Sequence, residues 1–297
     1  MRSLVGAAAF ATCDSAVIPA AAEELRAVNP EASFPEGPAM LAGKLYYAEY
    51  GGNRVSTWDG KTNSVFWKLD GCGPSAVMPW QNGFLVTCYD NGTYVKLSAD
   101  GKTERTWDQD STGAKLLGPN DLTFDGQGGA FLTASGPWEP KAIVGKVYHL
   151  SPDGTLKLAA DDLHYANGVQ LSPDGKSLYV SESEAGRVIM FDIEKDMTLT
   201  NRRVFAKLSV LGEPPDVYPD GIKLGPDGNL YVGLYSAPNI LVLDADGKII
   251  RKIHLPGAAT PNLTFTPDGK TMFVMAVDDK SGAPYKGKVL AVPTPAQ

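Results

Sequence analysis

Apolar and polar positions along this chain repeat one pattern: an apolar run, a tight Asp-Gly turn, and a second run rich in β-branched and aromatic residues. The pattern is clearest in "NGVQLSPDGKSLYVSES" from Asn167, "DGIKLGPDGNLYVGLYS" from Asp220 and "NLTFTPDGKTMFVMAVD" from Asn262. Asp-Gly between two such runs is a strong signal for a β-hairpin. Helical periodicity is confined to the short stretch "AAEELRAV", so the pattern predicts an all-β protein.

The hairpins recur at a fairly regular interval, and this repeat is the main evidence for the fold. When the copies are aligned on the polar residue that opens each one, neighbours lie 39 to 53 residues apart. The six opening residues are Glu36, Ser75, Asn120, Asn167, Asp220 and Asn262. A period of roughly 40 to 50 residues is typical of propeller blades. The sequence therefore predicts a six-bladed β-propeller with four-stranded antiparallel blades, an all-β fold that leaves only short, protected sheet edges.

The two ends of the chain are expected to meet in one blade. The last copy supplies apolar strands near 263–266, 271–277 and 287–292, one strand fewer than a blade needs. We expect the segment "EELRAVN" to supply the missing outer strand, so that an N-terminal strand closes the ring and the helix-like stretch is a strand. Residues 16–297 would then be a single β-propeller domain, and residues 1–15 an N-terminal extension that is either export-related or disordered.

Composition and charge narrow the classes of partner. The formal net charge of -7 and the pI near 5.1 argue against a nucleic-acid partner, which requires basic patches. No run approaches the roughly 18 apolar residues of a membrane span, so no membrane partner is expected. The start "MRSLVGAAAFA" is short for a signal peptide. We therefore expect a cytoplasmic protein, with a periplasmic or secreted one as the alternative, and a monomer or weak homo-oligomer.

The chain contains three cysteines, Cys13, Cys72 and Cys88. Their odd number and their lack of metal-ligand spacing argue against a disulfide framework. The sequence interpretation is three reduced, buried thiols.

Four of the hairpin-opening residues suggest a metal site. The innermost strands of a propeller line its central channel, so Glu36, Asn120, Asn167 and Asp220 would converge at the mouth of that channel. Two carboxylates and two amide oxygens suit a hard divalent cation, Ca²⁺ first, with Mg²⁺, Mn²⁺, Zn²⁺ or iron as alternatives. For any single one of these residues the competing interpretation is turn chemistry, because Asn and Asp side chains bond to nearby backbone groups.

The motifs together resemble the gluconolactonase/regucalcin family, which includes sugar lactonases and the related diisopropylfluorophosphatase. They are "FPEGPAM", "GPNDLTFDGQGG", "YANGVQLSPDGKSLYVSES", "RVIMFDI" and "YPDGIKLGPDGNLYV", in the order that the family has them. The resemblance runs from about Phe34 to Val292. It implies a six-bladed propeller with one catalytic divalent cation held by Glu36, Asn167 and Asp220. Asn120 matches a position that binds the metal in some members and contacts the substrate in others.

One position departs from the family pattern. Many sugar lactonases of the family carry an Arg before the Pro-Asn-Asp element, where it contacts the sugar, and this chain has Gly118 there. Aromatic residues are candidates for the rim of the pocket instead, and we expect Asn120, Trp138 and Tyr235 to contact the substrate. His164 and Asn262 are expected to support the metal ligands from behind.

The predicted activity is metal-dependent hydrolysis of a small-molecule lactone, in which a divalent cation polarises the carbonyl and lowers the pKa of water. Asp220 is the candidate catalytic residue, either as general base or as direct nucleophile. The chain contains neither a G-x-S-x-G elbow nor H-E-x-x-H, so serine-hydrolase and zinc-protease motifs are absent. Two alternatives stay open: a hydrolase of organophosphorus compounds or other esters with the same architecture, and a non-catalytic, calcium-linked binding propeller.

Overall fold

The regular secondary structure of the fold is almost entirely β-strand. The computed structural model describes residues 17–19, 25–138 and 143–295. Within these ranges it has strands β1–β25 and one short 3-10 helix, Tyr50–Gly52, with no α-helix. No helix in this part of the chain is long and apolar enough to cross a membrane. The predicted extension 1–15, with Cys13, lies outside the described residues.

Four separate sheets each contain four consecutive antiparallel strands. The first two sheets contain β3 (Pro35–Leu41), β4 (Lys44–Glu49), β5 (Arg54–Trp58) and β6 (Asn63–Lys68), then β7 (Pro74–Trp80), β8 (Gly83–Cys88), β9 (Thr93–Ser98) and β10 (Thr103–Trp107). The next two contain β11 (Pro119–Phe124), β12 (Ala130–Ala134), β13 (Gly145–Leu150) and β14 (Leu156–Leu163), then β15 (Ala166–Leu171), β16 (Ser177–Glu182), β17 (Arg187–Ile193) and β18 (Leu199–Lys207). The predicted all-β propeller with four-stranded antiparallel blades is confirmed.

The remaining strands form one nine-stranded sheet. They are β1 (Val17–Pro19), β2 (Arg26–Ser33), β19 (Pro219–Leu224), β20 (Leu230–Leu234), β21 (Asn239–Leu243), β22 (Ile249–His254), β23 (Ala259–Phe265), β24 (Thr271–Val277) and β25 (Lys286–Pro293). Two antiparallel runs, β19 to β22 and β23-β24-β25-β2, are joined by the single pair Leu234 and Thr260, and β1 lies parallel to β22. Residues 26–33 are thus a strand, and they pair with β25 from the far end of the chain.

Six strands contact one another in a closed cycle: β3 contacts β7, followed in turn by β11, β15, β19 and β23, which contacts β3 again. Each of the six has an irregularity of register near its opening polar residue. Such bulges redirect a side chain out of the regular strand alternation. In five of the six strands a proline precedes that residue. The polar residues that open the hairpins therefore gather at one end of the cycle.

The hydrophobic core lies between neighbouring sheets. Between the first and second sheets the ring of Phe84 packs 4.6 Å from that of Tyr46 and 4.9 Å from that of Phe66, measured between centroids. Between the second and third, the buried rings of Tyr94 and Tyr148 lie 6.5 Å apart. Two of these contacts are edge-to-face, a favourable aromatic geometry, and the Tyr46–Phe84 pair is tilted. They fix neighbouring sheets relative to each other and hence the positions of the innermost strands.

The interpretation of the cysteines was wrong for two of them, because Cys72 and Cys88 form a disulfide. Cys88 ends β8 and pairs in register with Pro74, so the β7–β8 hairpin brings Cys72, two residues before Pro74, beside it. The Cα atoms are 4.6 Å apart, within the range that a disulfide can span. An odd number of cysteines gave no hint of this, because the pairing depends on the register of one hairpin.

Candidate active site

Five of the six hairpin-opening residues, all except Asn262, line a single cavity of about 280 Å³. Its lining residues are Phe34, Glu36, Tyr50, Ser75, Tyr89, Asn120, Trp138, Tyr165, Asn167, Ser183, Asp220, Tyr235, Lys280 and Tyr285. The four predicted metal ligands and the three predicted substrate contacts are all among them. His164 and Asn262 are not: Asn262 lies behind Glu36, and His164 is bound through its backbone N–H to Glu182 Oε1 at 2.9 Å.

Two carboxyl groups are buried in this cavity, Glu36 and Asp220, which are 7% and 4% exposed. Glu36 Oε2 accepts hydrogen bonds from the backbone N–H of Gly37 at 2.8 Å and from Asn262 Nδ2 at 3.1 Å. Burial, and then the charge of Asp220, hold the pKa of Glu36 well above its ordinary value. Burial chiefly, with a contribution from the charge of Asp121, raises the pKa of Asp220 to about 8. Among the described residues neither carboxylate has a cationic partner within 4.0 Å.

The two asparagines predicted to bind the metal are oriented by serines of the wall. Asn120 donates from Nδ2 to Ser135 Oγ at 2.9 Å, and Asn167 donates from Nδ2 to Ser183 Oγ at 3.2 Å. Each serine hydroxyl in turn donates to a backbone carbonyl at the start of the next innermost strand, Ala166 O at 2.7 Å and Pro219 O at 2.6 Å. One N–H of each amide is thus directed to the wall, and the Asn167 side chain also hydrogen-bonds the Asp220 carboxylate, which works against the rise in the pKa of Asp220. The amide oxygens accept no hydrogen bond from these serines and are candidate donors to a cation.

A second set of hydroxyls fixes the backbone of Asn120, Asn167 and Asp220. Thr87 donates to Asn120 O at 2.6 Å, Thr133 to Asn167 O at 2.7 Å, and Ser181 to Asp220 O at 2.5 Å. Each donor lies on the second strand of one sheet and its acceptor lies on the first strand of the next. The sequence carried a signal for part of this network that was missed, the repeated hydroxyl-x-Ser in "LTASG" and "VSESE".

Gly221 allows Asn262 of the neighbouring strand to pack closely against the backbone beside Asp220. A Cβ atom at this position would lie 2.2 Å from Cγ and 2.3 Å from Nδ2 of Asn262, well inside van der Waals contact. The backbone beside Asp220 therefore leaves the space that the Asn262 amide fills. Asn262 donates to Glu36. The position of the Glu36 carboxylate therefore depends on Gly221, next to Asp220, having no side chain.

The residues present fit a hard divalent cation. Two uncompensated, buried carboxylates of like charge are costly unless a cation neutralises them, and the amide oxygens of Asn120 and Asn167 complete an all-oxygen donor set. The described residues contain no group of three or more His, Cys, Asp and Glu side chains placed to hold a metal. Any cation here would therefore depend on the two asparagines as well as on the two carboxylates.

Aromatic rings make up much of the remaining wall. The ring of Trp138 lies 4.6 Å from that of Tyr165, 5.4 Å from Tyr218 and 5.5 Å from Tyr235, between centroids. Trp138 is 43% exposed, so it borders the opening of the cavity. The predicted substrate contacts Trp138 and Tyr235 therefore lie side by side, within reach of a small molecule above the carboxylates.

Lys280 is a cavity residue that the sequence did not reveal. It lies between β24 and β25, and its Nζ donates to Tyr235 O at 2.8 Å and sits 4.4 Å from the centroid of the Tyr235 ring. Burial lowers its pKa, and the charge of Asp220 acts in the opposite direction. No repeat signal could have found it, because the segment lies outside the hairpin pattern.

Residues 34–278 match the family model described as the SMP-30/Gluconolactonase/LRE-like region. The chain belongs to this family. Among its relatives is a lactonase, drp35, from Staphylococcus saprophyticus, 30% identical over 72% of this chain and 67% of that protein. A gluconolactonase structure from Xanthomonas campestris is 26% identical, with a TM-score of 0.73, covering 91% of this chain and 89% of the other. The fold is also that of a calcium-binding regucalcin from Agrobacterium tumefaciens, 16% identical, with a TM-score of 0.75, covering 94% and 97% of the two chains.

The local structure explains why this chain has a glycine, Gly118, before the Pro-Asn-Asp element. Gly118 has a φ of 61°, a backbone conformation that favours glycine. A Cβ atom there would lie 2.8 Å from Gly136 O and 2.9 Å from Cε2 of Tyr89. The aromatic wall and the adjoining loop thus occupy the space next to Gly118 that a longer side chain would need.

Proposed function

We propose that this protein hydrolyses lactones with the help of one divalent cation held by Glu36, Asn120, Asn167 and Asp220. Its family and its lactonase relatives indicate a carboxylic ester hydrolase. The observation that carries the metal requirement is the pair of buried carboxylates, which share one cavity and have no cationic partner within 4.0 Å among the described side chains. The proposed partner is a small-molecule lactone.

The proposed architecture has six blades, with the nine-stranded sheet counted as two. The closed cycle of six innermost strands supports this count. The pairing of β2 with β25 supports the idea that an N-terminal strand completes the last blade and closes the ring. A central channel of this kind brings residues from distant parts of the sequence to one point, as a catalytic metal site requires.

A divalent cation bound there would polarise the lactone carbonyl and make water a better nucleophile. The residues of the chain would do the rest. Asp220 would take the proton from the attacking water, while the side chain of Asn120 would contact the ring oxygen or carbonyl of the substrate. Trp138 and Tyr235 would hold the substrate over the carboxylates and keep bulk water from the reacting group.

Two roles remain candidates for Asp220. A buried carboxylate next to a cation can act as a general base or attack the carbonyl itself. The two routes differ in the origin of the oxygen that enters the product. A single turnover in ¹⁸O-water would label the product directly if Asp220 is the base, whereas direct attack would first transfer an unlabelled carboxylate oxygen.

Calcium is the proposed cation, because oxygen-only ligand sets with carboxylate and amide donors suit it; Mg²⁺, Mn²⁺, Zn²⁺ and iron are alternatives to be compared. A second candidate function, hydrolysis of aryl esters or organophosphorus compounds, is favoured by the aromatic wall and by Gly118. The disulfide between Cys72 and Cys88 favours an oxidising compartment, and so the periplasmic or secreted alternative over a cytoplasmic location.

The decisive experiment is proton release from a panel of alkyl, aromatic and sugar lactones, before and after chelation and after adding back single cations. We expect activity to disappear with chelator and return with calcium. Glu36→Gln and Asp220→Asn should be inactive, while Asp268→Asn, in an exposed turn, should match the wild type. Full activity in metal-stripped protein would refute the mechanism. Calcium binding without turnover of any lactone, aryl ester or organophosphate would favour a calcium-linked binding propeller.

A further inference from the structure

Lys280 gives the cavity a feature that hydrolysis of an unsubstituted lactone does not require. It is the one basic side chain among the cavity-lining residues that the structure describes. The segment that carries it is anchored on both sides, since Asp279 N donates to Lys286 O at 3.0 Å and Phe34 N donates to Tyr285 O at 2.7 Å. The ammonium group is therefore held over the cavity by a fixed backbone.

The ammonium group of Lys280 has more hydrogen-bond donors than the described residues use. Lysine Nζ carries three N–H donors, and the hydrogen bond to Tyr235 O uses one of them. The neighbouring acids are engaged elsewhere: Asp278 with Lys288 at 3.0 Å, and Asp279 with Ser281 N at 2.9 Å. Among the described residues no carboxylate lies within 4.0 Å of Lys280 Nζ, so two donors remain for a ligand.

Once a divalent cation is bound, the positive charge of Lys280 would no longer be balanced by Glu36 and Asp220. A divalent cation would balance the two negative charges of Glu36 and Asp220. The next acid below them, Asp121, already has a partner in Lys223, with 3.5 Å between Nζ and Oδ2. Among the cavity-lining residues that the structure describes, the remaining ionisable side chain apart from the tyrosines is then Lys280, within a wall of aromatic rings. A positive charge in a partly desolvated site attracts an anionic group more strongly than it would in water.

We propose that the substrates of this site are aromatic lactones that carry a carboxylate, and that Lys280 is the residue that selects them. The flat ring would stack between the aromatic side chains near Trp138, with the lactone carbonyl over the carboxylates and the substituent against Lys280. This inference deepens the proposed function and rests on it. Lys280 would also provide a cationic side chain in a protein that has Gly118 where many sugar lactonases of the family carry an arginine.

The test separates binding from catalysis by using lactams, which resist hydrolysis because an amide replaces the ring ester. The probes are isoindolin-1-one and isoindolin-1-one-5-carboxylate, titrated calorimetrically into calcium-loaded protein. We expect the carboxylate to bind the wild type about ten-fold more tightly than the neutral lactam, as a charge-assisted hydrogen bond provides. Lys280→Met should abolish this preference and leave the affinity for the neutral lactam within about two-fold.

Two control variants make the test specific. Lys280→Arg keeps the charge and should retain the preference, and Lys270→Met, in an exposed turn, should behave like the wild type. If Lys280 only supports the Tyr235 ring, Lys280→Met will weaken both lactams equally, which overturns the proposal. Persistence of the preference in Lys280→Met, its absence in the wild type, or failure of both lactams to bind would also overturn it.

Hydrolysis of phthalide and of 5-carboxyphthalide, assayed in parallel, distinguishes this inference from the proposed function. If both lactones are hydrolysed equally well and no preference is seen with the lactams, the lactonase assignment stands and the role of Lys280 fails. If the lactams bind with the expected preference but no lactone is hydrolysed under any metal condition, the proposed function fails and the anion-selective pocket stands.

Discussion

The buried carboxylate of Asp220 should make the metal-free protein less stable as pH rises. Burial raises the pKa of this carboxyl from 3.8 to about 8, so the folded state binds the proton more tightly than the unfolded state does. Stability from this group is then fully present below about pH 4 and is lost as pH rises towards 8. Asp220→Asn removes the charge at every pH and should remove this loss.

The size of the effect follows from the same shift. Between the unfolded pKa and pH 7 lie about three pH units, each corresponding to about 1.4 kcal/mol. Asp220→Asn should therefore raise the free energy of unfolding of metal-free protein by about 4 kcal/mol at pH 7 and by almost nothing at pH 4. Such a gain on removing a candidate catalytic residue is what a function that requires a buried charge predicts.

Urea unfolding in excess chelator, followed by tryptophan fluorescence at pH 4, 5.5, 7 and 8, measures this difference. Asp268→Asn, at an exposed turn, is the matched control and should show no gain that grows with pH. Saturating calcium should reverse the order at pH 7, because the wild type gains binding free energy that the variant lacks. If metal-free Asp220→Asn is no more stable than the wild type at pH 8, the carboxylate is not an uncompensated buried charge.

Three further changes test the supports of the site. Gly221→Ala should weaken calcium binding at least ten-fold, because the new Cβ displaces Asn262 from Glu36; calorimetry measures this. Ser183→Ala should weaken it about ten-fold, as loss of a group that orients a candidate metal ligand does, and should lower the free energy of unfolding without metal by about 1 to 3 kcal/mol, because Asn167 Nδ2 and Pro219 O lose a buried partner. Replacing Cys72 and Cys88 with alanine should lower the free energy of unfolding by about 3 kcal/mol, because the disulfide restricts a loop of about 16 residues in the unfolded chain. Urea unfolding in excess chelator measures this loss.

The controls for these changes are chosen for similar chemistry away from the contacts. Gly282→Ala adds a methyl group where no heavy atom lies within 4 Å, and Ser64→Ala removes an exposed hydroxyl on β6; neither should alter calcium binding. Unchanged affinity in Gly221→Ala would mean that Asn262 does not position Glu36. Equal stability of the double alanine variant and the wild type would mean that the disulfide does not restrict the unfolded chain.

The candidate site was largely predictable because it repeats. Glu36, Asn120, Asn167 and Asp220 each open a hairpin, so a period in the sequence becomes convergence in space, and the structure places all four on one cavity. Trp138 was identified from its Gly- and Pro-rich surroundings and does border the opening. Residues that occupy the same position in each repeat can be recognised from a single sequence.

The missed features depend on contacts between segments that share no pattern. Lys280 faces the cavity because the segment between β24 and β25 folds over the cavity and Lys280 bonds to Tyr235 O. No local sequence pattern predicts this contact. The Cys72–Cys88 disulfide follows from the register of one hairpin. Ser135 and Ser183 could have been found from the repeated hydroxyl-x-Ser, but their role as donors to the next sheet becomes visible only when the sheets are placed side by side.

The pairing of β2 with β25 has a consequence for synthesis on the ribosome. Ser33 and Lys286 are adjacent in the sheet, yet every residue between them must be translated before they meet. At roughly 5 to 20 residues per second this takes on the order of 10 to 50 seconds. Throughout that time the early strand has an exposed edge that can pair with other chains. The nascent protein should therefore depend on holding chaperones more strongly than its final stability would suggest.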